Sequence, residues 1–149
     1  MCIRDRSEEA SLKSVPVEIV PLKKILLELV SMGIILGVVT NDSEASANNH
    51  LEYLGVLNFF KHIIGYDSGF GSKPSPDICL AFCSKEGIRP DQCIMVGDSL
   101  HDMQAGKSAG MITVGVLSGL ENEVNLRPDA DVILTNISSL PELTLLNQS

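Results

Sequence analysis

Tryptophan is absent from this chain of 149 residues, and aromatic side chains of all kinds make up only 4% of it. Its core must therefore be built from Val, Ile, Leu, Met and Ala rather than from large rings. Positive charge is scarce as well: 11 Lys and Arg stand against 19 Asp and Glu, for a net charge of -8. That balance excludes a nonspecific nucleic-acid binder, whose footprint is basic, and a surface drawn to an anionic membrane. No apolar run approaches the roughly 20 residues of a membrane span, and the opening Met1-Cys2-Ile3-Arg4-Asp5-Arg6-Ser7-Glu8-Glu9 is too charged for a signal peptide. Cys2, Cys79, Cys83 and Cys93 contain no C-x-x-C spacing, so reduced thiols in a cytoplasmic protein are the expectation. Cys79 and Cys83 share a helix face four residues apart and read as packing residues, since no His stands near them. Repeats, linkers and low-complexity tracts are missing too, and the length suits the core of one domain.

What is present is an alternation of two periodicities. Pro21 opens a predicted helix with Leu22, Ile25, Leu26, Leu29 and Val30 at helical spacing, and Gly33 stands where a C-terminal cap belongs. An apolar strand is expected over residues 34–39, a second helix over 43–54 ending at Gly55, and a short strand over 63–66. After a loop rich in Gly and Pro, a helix over 76–86 stops at Gly87. Then come a strand at 93–96, a helix at 102–109, a strand at 112–116, a last strand at 132–134 and a closing helix at 138–146. Strands alternating with helices at this spacing imply right-handed crossovers and an α/β fold, a doubly wound, Rossmann-like parallel sheet with helices on both faces.

Sites in such a sheet form beyond the carboxyl ends of its strands. The richest exit is Val96-Gly97-Asp98-Ser99-Leu100-His101-Asp102, where Gly97 permits a sharp turn and Asp98 and Asp102 are delivered from a strand end into a helix start. Two carboxylates so placed can converge on one hard cation, and the small residues Ala105, Gly106 and Ala109 let the helix pack closely on the sheet. A turn-forming Asp98 and a helix-capping Asp102 fit the same residues. Thr40 and Asn41 follow an apolar strand, where a hydroxyl and exposed backbone N-H groups can hold phosphate oxygens; Thr40-Asn41-Asp42-Ser43 also suits a plain helix cap. Lys73 lies in Lys73-Pro74-Ser75-Pro76, whose prolines stiffen the backbone that presents its ammonium; a solvated surface lysine fits as well. Two look-alikes fail: Gly69-Phe70-Gly71-Ser72-Lys73-Pro74 lacks the third Gly of a dinucleotide loop, and Pro74 stands where a P-loop needs Ser or Thr.

Together Val39-Thr40-Asn41, Lys73-Pro74-Ser75-Pro76-Asp77 and Gly97-Asp98-Ser99-Leu100-His101-Asp102 fall in the order and at the strand ends of one family. The chain resembles the haloacid dehalogenase-like phosphohydrolases, particularly their phosphoglycolate phosphatase-like branch, over residues 21–143. The resemblance implies that Thr40 hydrogen-bonds a transferring phosphoryl group with help from the Asn41 backbone. It further implies that Lys73 neutralises phosphate and nucleophile charge, and that Asp98 and Asp102 bind or orient Mg2+. Thr40, Lys73 and Asp98 are then the catalytic residues present, and the partner is a small phosphorylated metabolite. Phosphoryl transfer rests on charge neutralisation and in-line positioning, which these residue types supply.

Members of the family carry D-x-D-x-T or D-x-D-G-T on their first strand, the first Asp as nucleophile and the second as general acid and base. No such segment precedes residue 40. Asp5 stands between Arg4 and Arg6 without an apolar strand before it, and Asp129-Ala130-Asp131 lies at the wrong end. The expectation is therefore an N-terminally truncated core over residues 15–149 that lacks its first strand and its substrate-selecting cap. Residues 1–14 read as a cap remnant or as foreign or disordered sequence. In the family that strand lies at the sheet centre, so its loss predicts two strands facing a gap, a chain of low stability, and one that is inactive alone. An alternative keeps the doubly wound sheet and the acidic cation site but no catalysis: a phosphate- or Mg2+-binding module, or a receiver-like regulatory domain.

Overall fold

A computed structural model describes the backbone of residues 2–5, and residues 22–117 and 123–143. The expected α/β architecture is there: six parallel strands in the order β3-β2-β1-β4-β5-β6. They are β1 (Cys2–Asp5), β2 (Leu36–Val39), β3 (Phe60–Ile64), β4 (Ile94–Gly97), β5 (Ile112–Val116) and β6 (Val132–Leu134). Among the described residues, five helices connect them: α1 (Leu22–Ser31), α2 (Glu44–Tyr53), α3 (Asp77–Glu86), α4 (Leu100–Ala109) and the short α5 (Glu123–Leu126).

The expected gap at the sheet centre is not there. Cys2–Asp5 pairs in parallel with β2 on one side, Asp5 opposite Val39, and with β4 on the other, Arg4 opposite Val96. Backbone pairing explains why a segment without an apolar run takes this place. The N-H and C=O groups of β2 and β4 would otherwise be buried without partners, and any short extended segment satisfies them whatever its side chains. Residues 2–5 thus belong to the sheet, not to a separate N-terminal segment, and the low stability expected from an open centre loses its basis. The strand order corrects a second reading. Receiver domains follow the order 2-1-3-4-5, so the 3-2-1-4-5-6 arrangement here is not receiver-like.

Alternation along each strand sends side chains to two separate clusters. Leu36, Val38, Ile94, Val96, Val114 and Val116 meet Leu22, Ile25, Leu26 and Leu29 of α1 on one face. Val39, Ile64 and Met95 meet Ile78, Phe82, Ala105 and Ala109 of α3 and α4 on the other. Burial on both faces is why the strands read as continuous apolar runs. Cys79, Cys83 and Cys93 are buried in the second cluster and joined by no disulfide, with Cys83 Sγ 3.1 Å from Cys93 Sγ. At the back of α4, Gly106 lies flat on the sheet: a Cβ there would come within 2.6 Å of Met95 Cβ and 2.9 Å of Thr113 Cγ2.

Some element limits differ from expectation. Val30 is 39% exposed, because the buried stripe of α1 closes at Leu29 and the next residue points some 100° away. The strand expected at 63–66 runs from Phe60 to Ile64, and Tyr66–Ser68 is a single 3-10 turn. β3 is an edge strand, half exposed over Lys61–Ile63, so its first residues lack the apolar run that marks the central strands. Helix α4 starts at Leu100 rather than at 102, because Ser99 caps it. The closing helix is a 3-10 segment, Ile137–Glu142, interrupted by Pro141; Pro21 and residues 144–149 lie outside the described residues.

Replacing Gly106 with Val should lower stability by about 1–3 kcal/mol through overpacking between α4 and the sheet. A shift of the urea midpoint at unchanged slope measures it; a midpoint equal to that of the parent contradicts the packing described.

Candidate active site

In an open sheet of this order the chain reverses direction between β1 and β4, and the crevice outside their carboxyl ends is where ligands bind. Thr40 follows β2, Asp5 ends β1 and Asp98 follows β4, so the three exits bordering that crevice all carry polar residues.

The β4 exit is built around one carboxylate. Asp102 is wholly buried, although charged residues almost never are without partners. Its Oδ2 accepts from the backbone N-H groups of Asp98 and Ser99, each at 3.1 Å, while its own N-H donates to Ser99 Oγ at 3.3 Å. This is a capping box, in which the first turn of α4 and the residue before it satisfy each other's orphan donors. Gly97 is required beside it, since a Cβ there would fall within the Asp102 carboxylate.

The other oxygen, Asp102 Oδ1, accepts from Lys73 Nζ at 2.9 Å, with the two side chains 1% and 0% exposed. The same ammonium donates to Val39 O at 3.2 Å. Lys73 is thus no surface lysine: it spans from the last residue of β2 to the first turn of α4, across the crevice. Burial pulls its pKa down to about 7, and the nearby Cys79 and Asp98 charges pull it back up. An ammonium so poorly solvated gains more from an incoming anion than one already surrounded by water.

Thr40 is buried, its N-H donating to Ile64 O at 2.9 Å and its Oγ1 accepting from Asp42 N-H at 3.0 Å. The hydroxyl keeps its own proton to donate. The cap reading holds at Ser43, the N-cap of α2, which accepts from Ser46 N-H at 3.1 Å; Thr40 stands ahead of it, directly after β2. Asn41 does more than present its backbone. Its Oδ1 accepts from Lys73 N-H at 2.8 Å and its Nδ2 donates to Lys73 O at 3.2 Å. Nothing in the sequence announced that contact between residues 32 apart.

Asp98 is 3% exposed, at the strand end. Among the described residues no group of three or more His, Cys, Asp or Glu side chains could hold a metal ion, and Asp102 already accepts three protein donors. The donors still suit a hard cation, because Mg2+ takes one or two carboxylates and completes its shell with waters and phosphate oxygens. Asp129-Ala130-Asp131, dismissed from the site, lies at the opposite rim. There Asp131 Oδ2 accepts from Thr113 N-H at 2.9 Å, and Thr113 Oγ1 donates to Asp129 O at 2.7 Å, tying the start of β5 to the start of β6. Of the residues missed by sequence reasoning, Ser99 was signalled by its S-x-x-D spacing, whereas Val39 O as a partner of Lys73 had no signal.

Fold and site together define a doubly wound α/β domain that gathers a hydroxyl, an ammonium and carboxylates at its switch point. The family model of haloacid dehalogenase-like hydrolases matches residues 3–116, and the chain belongs to that family. It is 33% identical over 127 residues to the phosphoglycolate phosphatase of Vibrio cholerae, covering 85% of this chain and 56% of that protein. Among solved structures, a predicted phosphoglycolate phosphatase from Haemophilus somnus superposes with a TM-score of 0.75 at 30% identity, covering 82% of this chain and 55% of that one. An HAD family hydrolase from Deinococcus radiodurans, solved with bound phosphate and sodium, reaches 0.71 at 26% identity, with 79% and 55% covered. The chain spans about half the length of the relatives it matches. Among the described residues no helix is long and apolar enough to cross a membrane.

Asp102→Ala should cost about 3–5 kcal/mol, because it strands the buried Lys73 ammonium and two backbone N-H groups. Urea unfolding measures the loss, and Lys73→Met introduced alongside should recover part of it. A double variant no more stable than Asp102→Ala alone would count against the buried pair.

Proposed function

We propose that this chain forms the phosphate- and Mg2+-binding core of a phosphomonoesterase acting on a small phosphorylated metabolite, with phosphoglycolate the first candidate. The observation that carries this reading is the position of the Lys73 ammonium, held between the Val39 carbonyl and the Asp102 carboxylate. From there it faces any anion that enters between the exits of β2 and β4.

In this reading the Thr40 hydroxyl donates to one phosphoryl oxygen and the Asn41 backbone N-H to another. Lys73 offsets the negative charge that builds up when phosphate, Asp98 and a nucleophilic carboxylate share one crevice. Asp98 would hold the Mg2+ directly, and Asp102, with its oxygens engaged, would orient it through the turn of residues 98–99 and through Lys73. When bound, the cation supplies charge neutralisation at the phosphoryl oxygens. Such a division of labour fits a reaction governed by positioning and electrostatics.

Asp5 has a place in this arrangement that the sequence alone argued against, since its backbone ends β1 opposite Val39. Its side chain lies outside the described residues. Two residues on, where the family pattern has its acid-base Asp, this chain has Ser7, which also lies outside them. A hydroxyl cannot exchange protons with a leaving alkoxide as a carboxylate does, and loss of general acid-base catalysis costs about 100- to 10,000-fold. The chain by itself is therefore a binding-competent core without efficient turnover.

Titration calorimetry with MgCl2 in the presence of inorganic phosphate tests the binding part. Asp98→Asn should weaken Mg2+ binding at least about tenfold, and Thr40→Val should weaken phosphate binding several-fold, as expected for losing a hydrogen bond to a charged group. Tyr53→Ser, at an exposed position near the far end of α2, should leave both unchanged. Equal affinities in the parent and Asp98→Asn would refute the site. For turnover, phosphate release from 2-phosphoglycolate by the 149-residue chain should stay at the level of Asp98→Asn across a Mg2+ titration; release clearly above that level would show that the chain is a complete catalyst.

A further inference from the structure

On its N-terminal side the loop that presents Lys73 is exposed; beyond the stiff Pro74 and Pro76, a turn from Ser75 N-H to Ser72 O at 3.1 Å and the Lys85 ammonium 5.6 Å from the Phe70 ring centre are its local supports. Gly71 adopts a positive φ of 82°, residues 69–72 are exposed, and the loop lies outside the sheet ladder. The ammonium must stay within 2.9 Å of Asp102 and 3.2 Å of Val39 O, and these local supports do not tie the Lys73 backbone to the β2 exit across which it reaches.

We infer that the Asn41 side chain is a positioning residue, a clamp that sets where the Lys73 ammonium stands relative to the Thr40 hydroxyl. Its carboxamide satisfies both main-chain polar groups of Lys73 at once, accepting from the N-H at 2.8 Å and donating to the C=O at 3.2 Å. That is what a neighbouring strand would do for one residue, and only a side chain with a donor and an acceptor on one plane can do it. Asp lacks the donor and would set a negative charge against the Lys73 carbonyl, while Gln places its amide one methylene too far out. Because Asn41 follows Thr40 directly, the clamp ties the two phosphate-facing groups into one frame although they are 33 residues apart in sequence. The ends of the frame are anchored independently: Thr40 N-H bonds Ile64 O in the sheet, and Tyr66 N-H bonds Asp42 O at 3.0 Å. Asn41 touches neither Asp98 nor Asp102 in the described contacts and acts through Lys73.

This inference rests on the phosphate-site reading above, and the experiment separates the two. Backbone amide exchange of the 149-residue chain is followed residue by residue in the parent and in Asn41→Ala, without ligand. Binding of inorganic phosphate with Mg2+ is then measured in the parent, Asn41→Ala, Lys73→Met and the double variant. The clamp predicts that the Lys73 amide exchanges at least about tenfold faster in Asn41→Ala while amides of β4 and β5 do not change. It also predicts that phosphate affinity falls about tenfold in Asn41→Ala but no further when Lys73 is already Met, the non-additivity of a residue acting through another. A residue that merely supports the fold would speed exchange in β4 and β5 and would weaken binding equally in both backgrounds; that result overturns the proposal. Unchanged protection of the Lys73 amide overturns it as well and decides the matter if Lys73→Met does not fold. If the unaltered chain binds no phosphate, the phosphate-site reading fails and takes this proposal with it. Normal binding by the parent with an unaffected Asn41→Ala removes the clamp alone.

Discussion

The buried ion pair between Lys73 and Asp102 is the constraint on which the rest of the site depends. Taking an ammonium and a carboxylate out of water costs several kcal/mol for each ion, and their attraction offsets this only when the remaining donors and acceptors are also satisfied. Each neighbouring feature meets that requirement. The Asp98 and Ser99 amides fill the second carboxylate oxygen, Ser99 closes the cap, and the Val39 carbonyl takes another ammonium proton. Gly97 leaves the room in which the carboxylate sits. The arrangement spends stability to keep an ammonium and a carboxylate buried between the exits of β2 and β4.

Topology explains why these groups come together at all. Val39, Lys73 and Asp102 belong to a strand end, a loop and a helix start separated by at least 29 residues. They meet because parallel strands all exit on one side of the sheet, and the order 3-2-1-4-5-6 puts the exits of β2 and β4 on either side of β1. Asp129 and Asp131, chemically just as capable of binding a cation, are excluded by the same rule: they precede a strand rather than follow one, so they are spent on joining β5 to β6. The chain belongs to the haloacid dehalogenase-like hydrolases and spans about half the length of the relatives it matches.

Legibility in the sequence followed burial. Helices with defined ends, such as α1 with its apolar stripe and α2 and α3 with cap residues and a following Gly, were placed to within a residue or two, because these are local signals. Central strands β2, β4 and β5 were read from continuous apolar runs for the same reason. β1 was missed because it is held by backbone pairing on both sides and its residues Cys2-Ile3-Arg4-Asp5 carry no strand pattern. β3 was displaced because an edge strand is half solvated. At the site, Thr40, Lys73, Asp98 and Asp102 were picked out by position after strand ends; the capping partner Ser99 was within reach of the same logic, but the reach of Asn41 across to Lys73 was not.

By itself the sequence determined the alternation of strands and helices, the polar residues at the strand exits, and a core without large rings. These follow from local patterning, where each residue's neighbours in the chain are also its neighbours in space. Only the tertiary structure decided that Cys2–Asp5 closes the sheet, that Asp102 faces an ammonium, and that Asn41 grips the Lys73 backbone. Such contacts are long-range: they depend on how exits 30 or so residues apart are brought side by side by the sheet, and no local pattern encodes that distance.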